Sequence, residues 1–310
     1  MPRSVVVIGN FDGVHRGHQV LLAKAGELAG ELAHGGAALP VIAVTLWPHP
    51  MTVLAPDRAP RLLSTLEERI ALLKRYGADQ VRVVQFNREV TAWSPAHFAD
   101  TVLRPLDPAA VVVGSNFTFG RGARGNPGTL RELFGESIPV VDLDLVEVGD
   151  RKSSSSFIRT ELEQGDVVTA ARHLGRWFRL SGVVMLGDQR GRSLGFPTAN
   201  LPVSHDLACP ADGVYAGWLT VLEGADQQPL PAAVSVGTNP TFDGVERRVE
   251  SYVLDRTDLQ LYGVRIGVDF VRQLRGQLRF SGAQELIAQM DRDVEETRVV
   301  LADSQHVPGC

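Results

Sequence analysis

Two histidines separated by an arginine and a glycine stand in GNFDGVHRGH (9–18), directly after a short apolar run. His15 and His18 at this spacing can both donate ring N–H groups to a phosphorus centre as negative charge builds on its oxygens. Gly13 and Gly17 permit close backbone approach, and a helix starting at His18 would aim free N–H groups and its dipole at an anion. In isolation such a turn suits surface histidines equally well. The position at the end of a first strand favours chemistry, because open α/β sheets bind ligands at the carboxyl ends of their strands.

Three further segments carry groups suited to a polyphosphate. GSNFTFGRGARGNPGTL (114–130) holds Asn116, Arg121 and Arg124 in a stretch too long for an idle connection. KSSSSFIRTEL (152–162) sets hydroxyls ahead of a helix and Arg159 behind them, which suits plain N-caps or phosphate contacts alike. His49, in Trp47-Pro48-His49-Pro50, either covers a nucleotide or simply occupies a turn.

A second constellation lies in GDQRGRSLGFPTANL (187–201). No GxxxxGK[ST] occurs in the chain, so a P-loop is excluded. Thr198 and Asn200, two apart on an extended segment, point the same way and offer hard oxygens to Mg²⁺ bridging nucleotide phosphates. A Pro/Asn turn between strands is the competing reading. Glu250 lies on a β-rich run; turned outward it is a solvated carboxylate, and turned toward a metal-bound nucleotide it is a general base.

The elements that must carry these residues divide into two patterns. Strands at 4–11, 40–47, 80–86, 109–117 and 139–148 alternate with helices at 18–33 and 63–77, which predicts a parallel, doubly wound sheet. The second of these helices has Ser64 or Thr65 as cap and Gly77 as stop. Helices at 154–165 and 166–176 follow. After Phe178 the strands 180–186, 213–222, 231–237, 247–255 and 264–274, separated by turn residues, predict an antiparallel barrel closed by a helix at 283–303.

Across the 310 residues, 44% are hydrophobic and 22% charged, with net charge −5, so nucleic acid and anionic membrane surfaces are not expected partners. No apolar run reaches bilayer length and no secretory signal is apparent. The only cysteines are Cys209 and Cys310, which fits a reducing cytoplasm.

GNFDGVHRGH, VVVGSNFTFGRGARG and SSSFIR, in this order, resemble the flavin adenylyltransferase module of bacterial bifunctional riboflavin kinase/FAD synthetases, within the HxGH nucleotidyltransferases. GRSLGFPTANL, GVYAG, SVGTNPTF, LYG (261–263) and LRGQLRF (274–280) resemble its riboflavin kinase module. The resemblance implies an α/β Rossmann-like HxGH nucleotidyltransferase domain at 1–179. It implies a six-stranded antiparallel β-barrel kinase domain with a C-terminal helix at 180–310. Riboflavin would be phosphorylated with ATP to FMN, and FMN adenylated with ATP to FAD and pyrophosphate, with Mg²⁺ assisting both.

By the same resemblance His15 and His18 bind ATP phosphates. Gly9, Phe11, Gly13, His49, Asn116, Ser155, Ser156 and Arg159 lie around the nucleotide or flavin. Ser154-Ser155-Ser156 stands where the family usually has Ser-Ser-Thr. In the second module Thr198 and Asn200 hold Mg-ATP, and Glu250 is the base for the ribityl 5′-hydroxyl. The 187–195 loop (Gly187, Arg192, Gly195) covers the nucleotide beside Pro197, and Arg275 contacts the flavin. The expected partners are small molecules, with the chain a monomer or weak homo-oligomer. The alternatives are a kinase whose first module is inactive or differently specific, and a flavin sensor without turnover.

Overall fold

The computed structural model describes residues 3–144, 146–186, 195–224, 227–241 and 244–304. The chain divides into two compact units, Met1–Ser155 and Ser156–Cys310. Among the described residues the first unit carries strands β1 (Ser4–Ile8), β2 (Val41–Trp47), β3 (Gln80–Gln85), β4 (Pro108–Gly114) and β5 (Val140–Leu143). Its helices include α1 (Arg16–Glu31), α2 (Pro50–Leu54), α3 (Leu66–Arg75), α4 (Arg88–Thr91), α5 (Pro95–Phe98) and α6 (Pro127–Phe134).

The five strands form one parallel sheet in the order β3-β2-β1-β4-β5. The central strands read as continuous apolar runs because both faces are covered. Val5 and Val7 pack with Leu22 and Ala25 of α1 and Leu73 of α3. Val6 and Ile8 face the opposite layer, with Phe98, Leu130 and Phe134. β1 and β4 are neighbours whose chain continuations lead to opposite halves of the sheet, which opens a crevice beyond their carboxyl ends.

Several boundaries differ from the sequence reading. β1 ends at Ile8, and α1 begins at Arg16, so His15 is its N-cap and His18 lies in its first turn. The 139–148 run breaks after Leu143, and a short hairpin follows from β6 (Glu147–Val148) and β7 (Arg151–Lys152). The 114–130 segment is not one long loop: Phe119 bridges Gly125, and Asn126 caps α6. Thr65, not Ser64, caps α3 through a reciprocal pair with Glu68.

α7 (Ser155–Gln164) begins at the junction of the units, and α8 (Val167–Leu174) follows. The strands of the second unit are β8 (Phe178–Val183), β9 (Thr198–Val203), β10 (Gly213–Val221), β11 (Leu230–Thr241), β12 (Gly244–Val253) and β13 (Arg265–Arg275). They form an antiparallel sheet in the order β8-β13-β10-β11-β12-β9. The segment after β8 meets the other edge strand, β9, where the Met185 N–H donates to the Asn200 carbonyl at 2.9 Å, so the sheet curls into a nearly closed barrel. The interior holds Phe178, Tyr215 and Phe270, with the Tyr215 and Phe270 rings edge-to-face at 5.4 Å. The final helix, α9 (Ala283–Ala302), packs Val300 and Leu301 against Ala216 and Val271 on the outside.

Candidate functional sites

In the first unit, the turn after β1 delivers the two histidines. Phe11, Gly13 and Val14 have φ of 52°, 75° and 40°, a run of left-handed residues that turns the chain sharply into α1. The His15 and His18 rings stack at 3.7 Å with an interplanar angle of 22°. Gly17 makes room for this arrangement, since a Cβ there would lie 3.0 Å from His15 Cε1. Phe11 is buried and meets His18 edge-on at 5.0 Å, so its ring supports the imidazole from below. A Cβ at Gly9 would press on that Phe11 ring at 3.2 Å.

Burial first, then the charges of His15 and Arg69, pushes His18 well below the usual histidine range. Its imidazole is therefore neutral near pH 7. His18 Nδ1 is enclosed without a hydrogen-bond partner among the described residues, which leaves Nε2 as the atom able to meet a ligand.

The remaining first-unit candidates divide. Asn116 lies past β4, with Oδ1 folded back over the end of that strand, where a Cβ on Gly114 would come within 3.1 Å of it. Ser155 Oγ donates to the Asp12 carbonyl at 2.9 Å and so ties the start of α7 to the histidine turn. The Gly13 N–H donates to Ser64 Oγ at 3.3 Å, a bond within the protein that competes with the phosphate approach expected of this glycine. His49 caps α2, its Nδ1 accepting from the Met51 N–H at 3.2 Å. Ser156 and Arg159 follow on α7, the first exposed and the second half-buried.

In the second unit, β12 pairs with β9 so that Glu250 stands directly opposite Asn200 and Tyr252 opposite Thr198. Directly opposed residues of antiparallel strands project to the same side, with Cβ atoms about 4.5–5.5 Å apart. Thr198, Asn200 and Glu250 therefore share one face. Thr198, Asn200, Gly195 and Pro197 line a cavity of about 510 Å³. Glu250 lines a second cavity of about 350 Å³, together with Ser235, Thr238, Arg248 and Gln277. The β9–β12 pair thus contributes to both cavities. Gly187 and Arg192 lie outside the described residues.

Arg275 is not brought to either cavity. Its Nε donates to Asp293 Oδ1 at 2.9 Å and its Nη2 to Asp293 Oδ2 at 2.6 Å, a fork that fastens β13 to α9. The physical reason is proximity: α9 lies over the end of β13 and presents a buried carboxylate that claims the guanidinium.

Sequence reasoning missed Ser251, whose enclosed hydroxyl has no hydrogen-bond partner among the described residues and borders the larger cavity. It also missed Arg69, fully buried beside the histidine turn. The available signal was its place on α3, three residues after Leu66 and four before Leu73, on the stripe that faces the sheet.

Comparison with known proteins covers nearly the whole chain. A family model described as FAD synthetase matches residues 1–157, and one described as riboflavin kinase matches 174–301. The bifunctional riboflavin kinase/FMN adenylyltransferase of Escherichia coli K12 is 36% identical over 93% of this chain and 90% of its own length. That of Bacillus subtilis is 32% identical over 95% and 91%. A solved protein from Streptococcus pneumoniae, described as a macrolide-efflux protein, superposes with a TM-score of 0.85 at 31% identity over 96% of this chain and 95% of that one. Among the described residues of this chain no helix is long and apolar enough to cross a membrane. On these matches, which span both units, the chain belongs to the bifunctional riboflavin kinase/FMN adenylyltransferase family.

Proposed function

We propose that this chain phosphorylates riboflavin to FMN in its second unit and adenylates FMN to FAD in its first. The observation that carries the reading is the register of β12 against β9, with Glu250 across from Asn200 and each bordering a different cavity. A phosphoryl donor in one cavity and an acceptor hydroxyl in the other would meet at that strand pair. Family membership supports both activities.

In the second unit Glu250 accepts the proton of the ribityl 5′-hydroxyl as that oxygen attacks the γ-phosphorus of ATP, and ADP leaves. Thr198 and Asn200 are hard oxygen donors on one face and fit Mg²⁺, which when bound draws charge from the phosphate oxygens. In the first unit an FMN phosphate oxygen attacks the α-phosphorus of ATP and pyrophosphate leaves. His15 and His18 hold the phosphates in line and donate to oxygens gaining charge. A neutral His18 fits this role, because Nε2 donates while Nδ1 stays enclosed. Asn116, Ser155, Ser156 and Arg159 are the further nucleotide contacts of this reading. Gly9, Phe11 and Gly13 act by shaping the turn, His49 at the start of α2 covers the nucleotide, and Gly195 and Pro197 wall the kinase nucleotide.

Incubation with riboflavin, ATP and Mg²⁺, followed by chromatography of the flavins, tests the proposal. Riboflavin should give FMN and then FAD. Accumulation of FMN alone identifies a kinase with a differently specific first unit, and unconsumed ATP identifies a binding protein without turnover. Cys209, a buried free thiol, supports a reducing cytoplasm as the site of action. We read the active form as a monomer or weak homo-oligomer, which sedimentation tests.

A further inference from the structure

The turn that carries His15 and His18 is strained. Phe11 and Val14 are buried non-glycine residues with φ of 52° and 40°, and a β-branched residue there is a genuine outlier. Such conformations persist only where the surroundings over-determine them. Ser64 holds the turn at Gly13 and Ser155 at Asp12, and one buried cation holds it at Asn10 and Asp12.

Arg69 of α3 is fully buried. Its Nη1 donates to the Asn10 carbonyl at 2.9 Å, to the Leu46 carbonyl at 3.3 Å and to Thr45 Oγ1 at 3.4 Å. Its Nη2 donates to Asp12 Oδ1 at 3.3 Å. Asp12 is held in turn by the Leu63 N–H at 3.0 Å, and Thr45 Oγ1 donates back to the Asn10 carbonyl at 2.9 Å. The guanidinium lies 5.2 Å from the Trp47 ring centroid. One cation therefore ties the exit of β1 to the exit of β2, directly ahead of the histidines. A buried cation is costly to desolvate, and an apolar side chain would fill the same stripe of α3. The charge sits where it binds the turn.

We infer that Arg69 is a positioning residue for adenylyl transfer, holding the Asn10–Asp12 turn so that His15 and His18 are delivered to the phosphates. This rests on the reading of the two histidines given above. Arg69 is fully buried, and it acts through the backbone it holds. Misplacement of a catalytic group by about 1 Å can cost about a hundredfold in rate. The same charge also disfavours protonation of His18.

The test uses the full chain with Arg69→Lys, whose single ammonium cannot span the acceptors that the planar fork reaches. The kcat for FMN adenylation should fall at least about tenfold, or about 1.4 kcal/mol. The KM values for ATP and FMN should stay within about threefold, because uniform binding is untouched. Riboflavin phosphorylation in the same sample should be unchanged. A wild-type adenylation kcat overturns the inference. If Arg69→Lys lowers the folded fraction, Asp12→Asn decides, since it keeps shape while weakening the ion pair. It should lower kcat per folded molecule at least about threefold, read below an unfolding temperature that weakening this buried pair itself lowers, and a wild-type kcat there overturns the inference equally. His18→Ala separates the two levels: retained adenylation in that variant defeats the histidine reading itself. Its loss, with Arg69→Lys fully active, defeats only the role of Arg69.

Discussion

Replacing Glu250 by glutamine keeps the side chain's size and its hydrogen-bonding reach but removes the group able to take a proton. The pairing of Glu250 with Asn200 on β9 and Ser235 on β11 holds it on a barrel face beside the 350 Å³ cavity. A positioned general base contributes about 10²–10⁴-fold, which corresponds to about 2.7–5.4 kcal/mol of transition-state stabilisation. A single substitution at a half-buried position typically alters folding stability by about 1 kcal/mol. The chemical effect therefore exceeds the structural one severalfold, and the lost rate cannot be assigned to unfolding. The assay follows FMN formation from riboflavin at saturating ATP and Mg²⁺, with conversion of supplied FMN to FAD measured on the same preparation. Phosphorylation should fall in kcat with little change in the KM for riboflavin, and adenylation should persist. A glutamine variant that phosphorylates riboflavin within about tenfold of the wild-type rate would refute the assignment of Glu250 as base.

Other outcomes follow from the same geometry. His18→Ala should reduce adenylation by about 10²–10³-fold while FMN accumulates; undiminished FAD formation would contradict the stacked-imidazole site. The depressed pKa of His18 means that the unfolded chain takes up a proton which the folded chain resists. Its contribution to stability is thus complete above about pH 6.5 and declines as pH falls toward the folded value, by up to about 1.4 kcal/mol per pH unit. Urea titrations across this range should show a shallower slope for His18→Gln. Asp293→Ala strands Arg275, whose side chain is 17% exposed, and should cost about 3 kcal/mol or more in urea unfolding. Thr198→Val removes one hard oxygen at constant shape and should raise the Mg²⁺ concentration for half-maximal phosphorylation about tenfold.

The sequence by itself determined what is local. Valine-rich runs such as Ser4–Ile8 specify central strands, because only a strand covered on both faces can bury every side chain. The hydroxyl pair Ser64-Thr65 specifies to within one residue where α3 begins, and the alternation after Phe178 specifies the barrel. The chemistry-bearing types, two histidines about one glycine and a hydroxyl and an amide before a glutamate, were equally legible. Only the tertiary structure decided what depends on contacts between distant segments. The order β3-β2-β1-β4-β5 opens the crevice beyond β1 and β4. The β9–β12 register sets Glu250 opposite Asn200, and a slip of one residue would have turned it to the other face. Arg275 sits in a motif that suggests a ligand contact, yet a carboxylate on α9 takes it. Arg69 falls on the sheet-facing stripe of α3, yet only folding shows which turn its guanidinium holds. A charged side chain's fate is set by the partner that folding brings to it, and no local pattern names that partner.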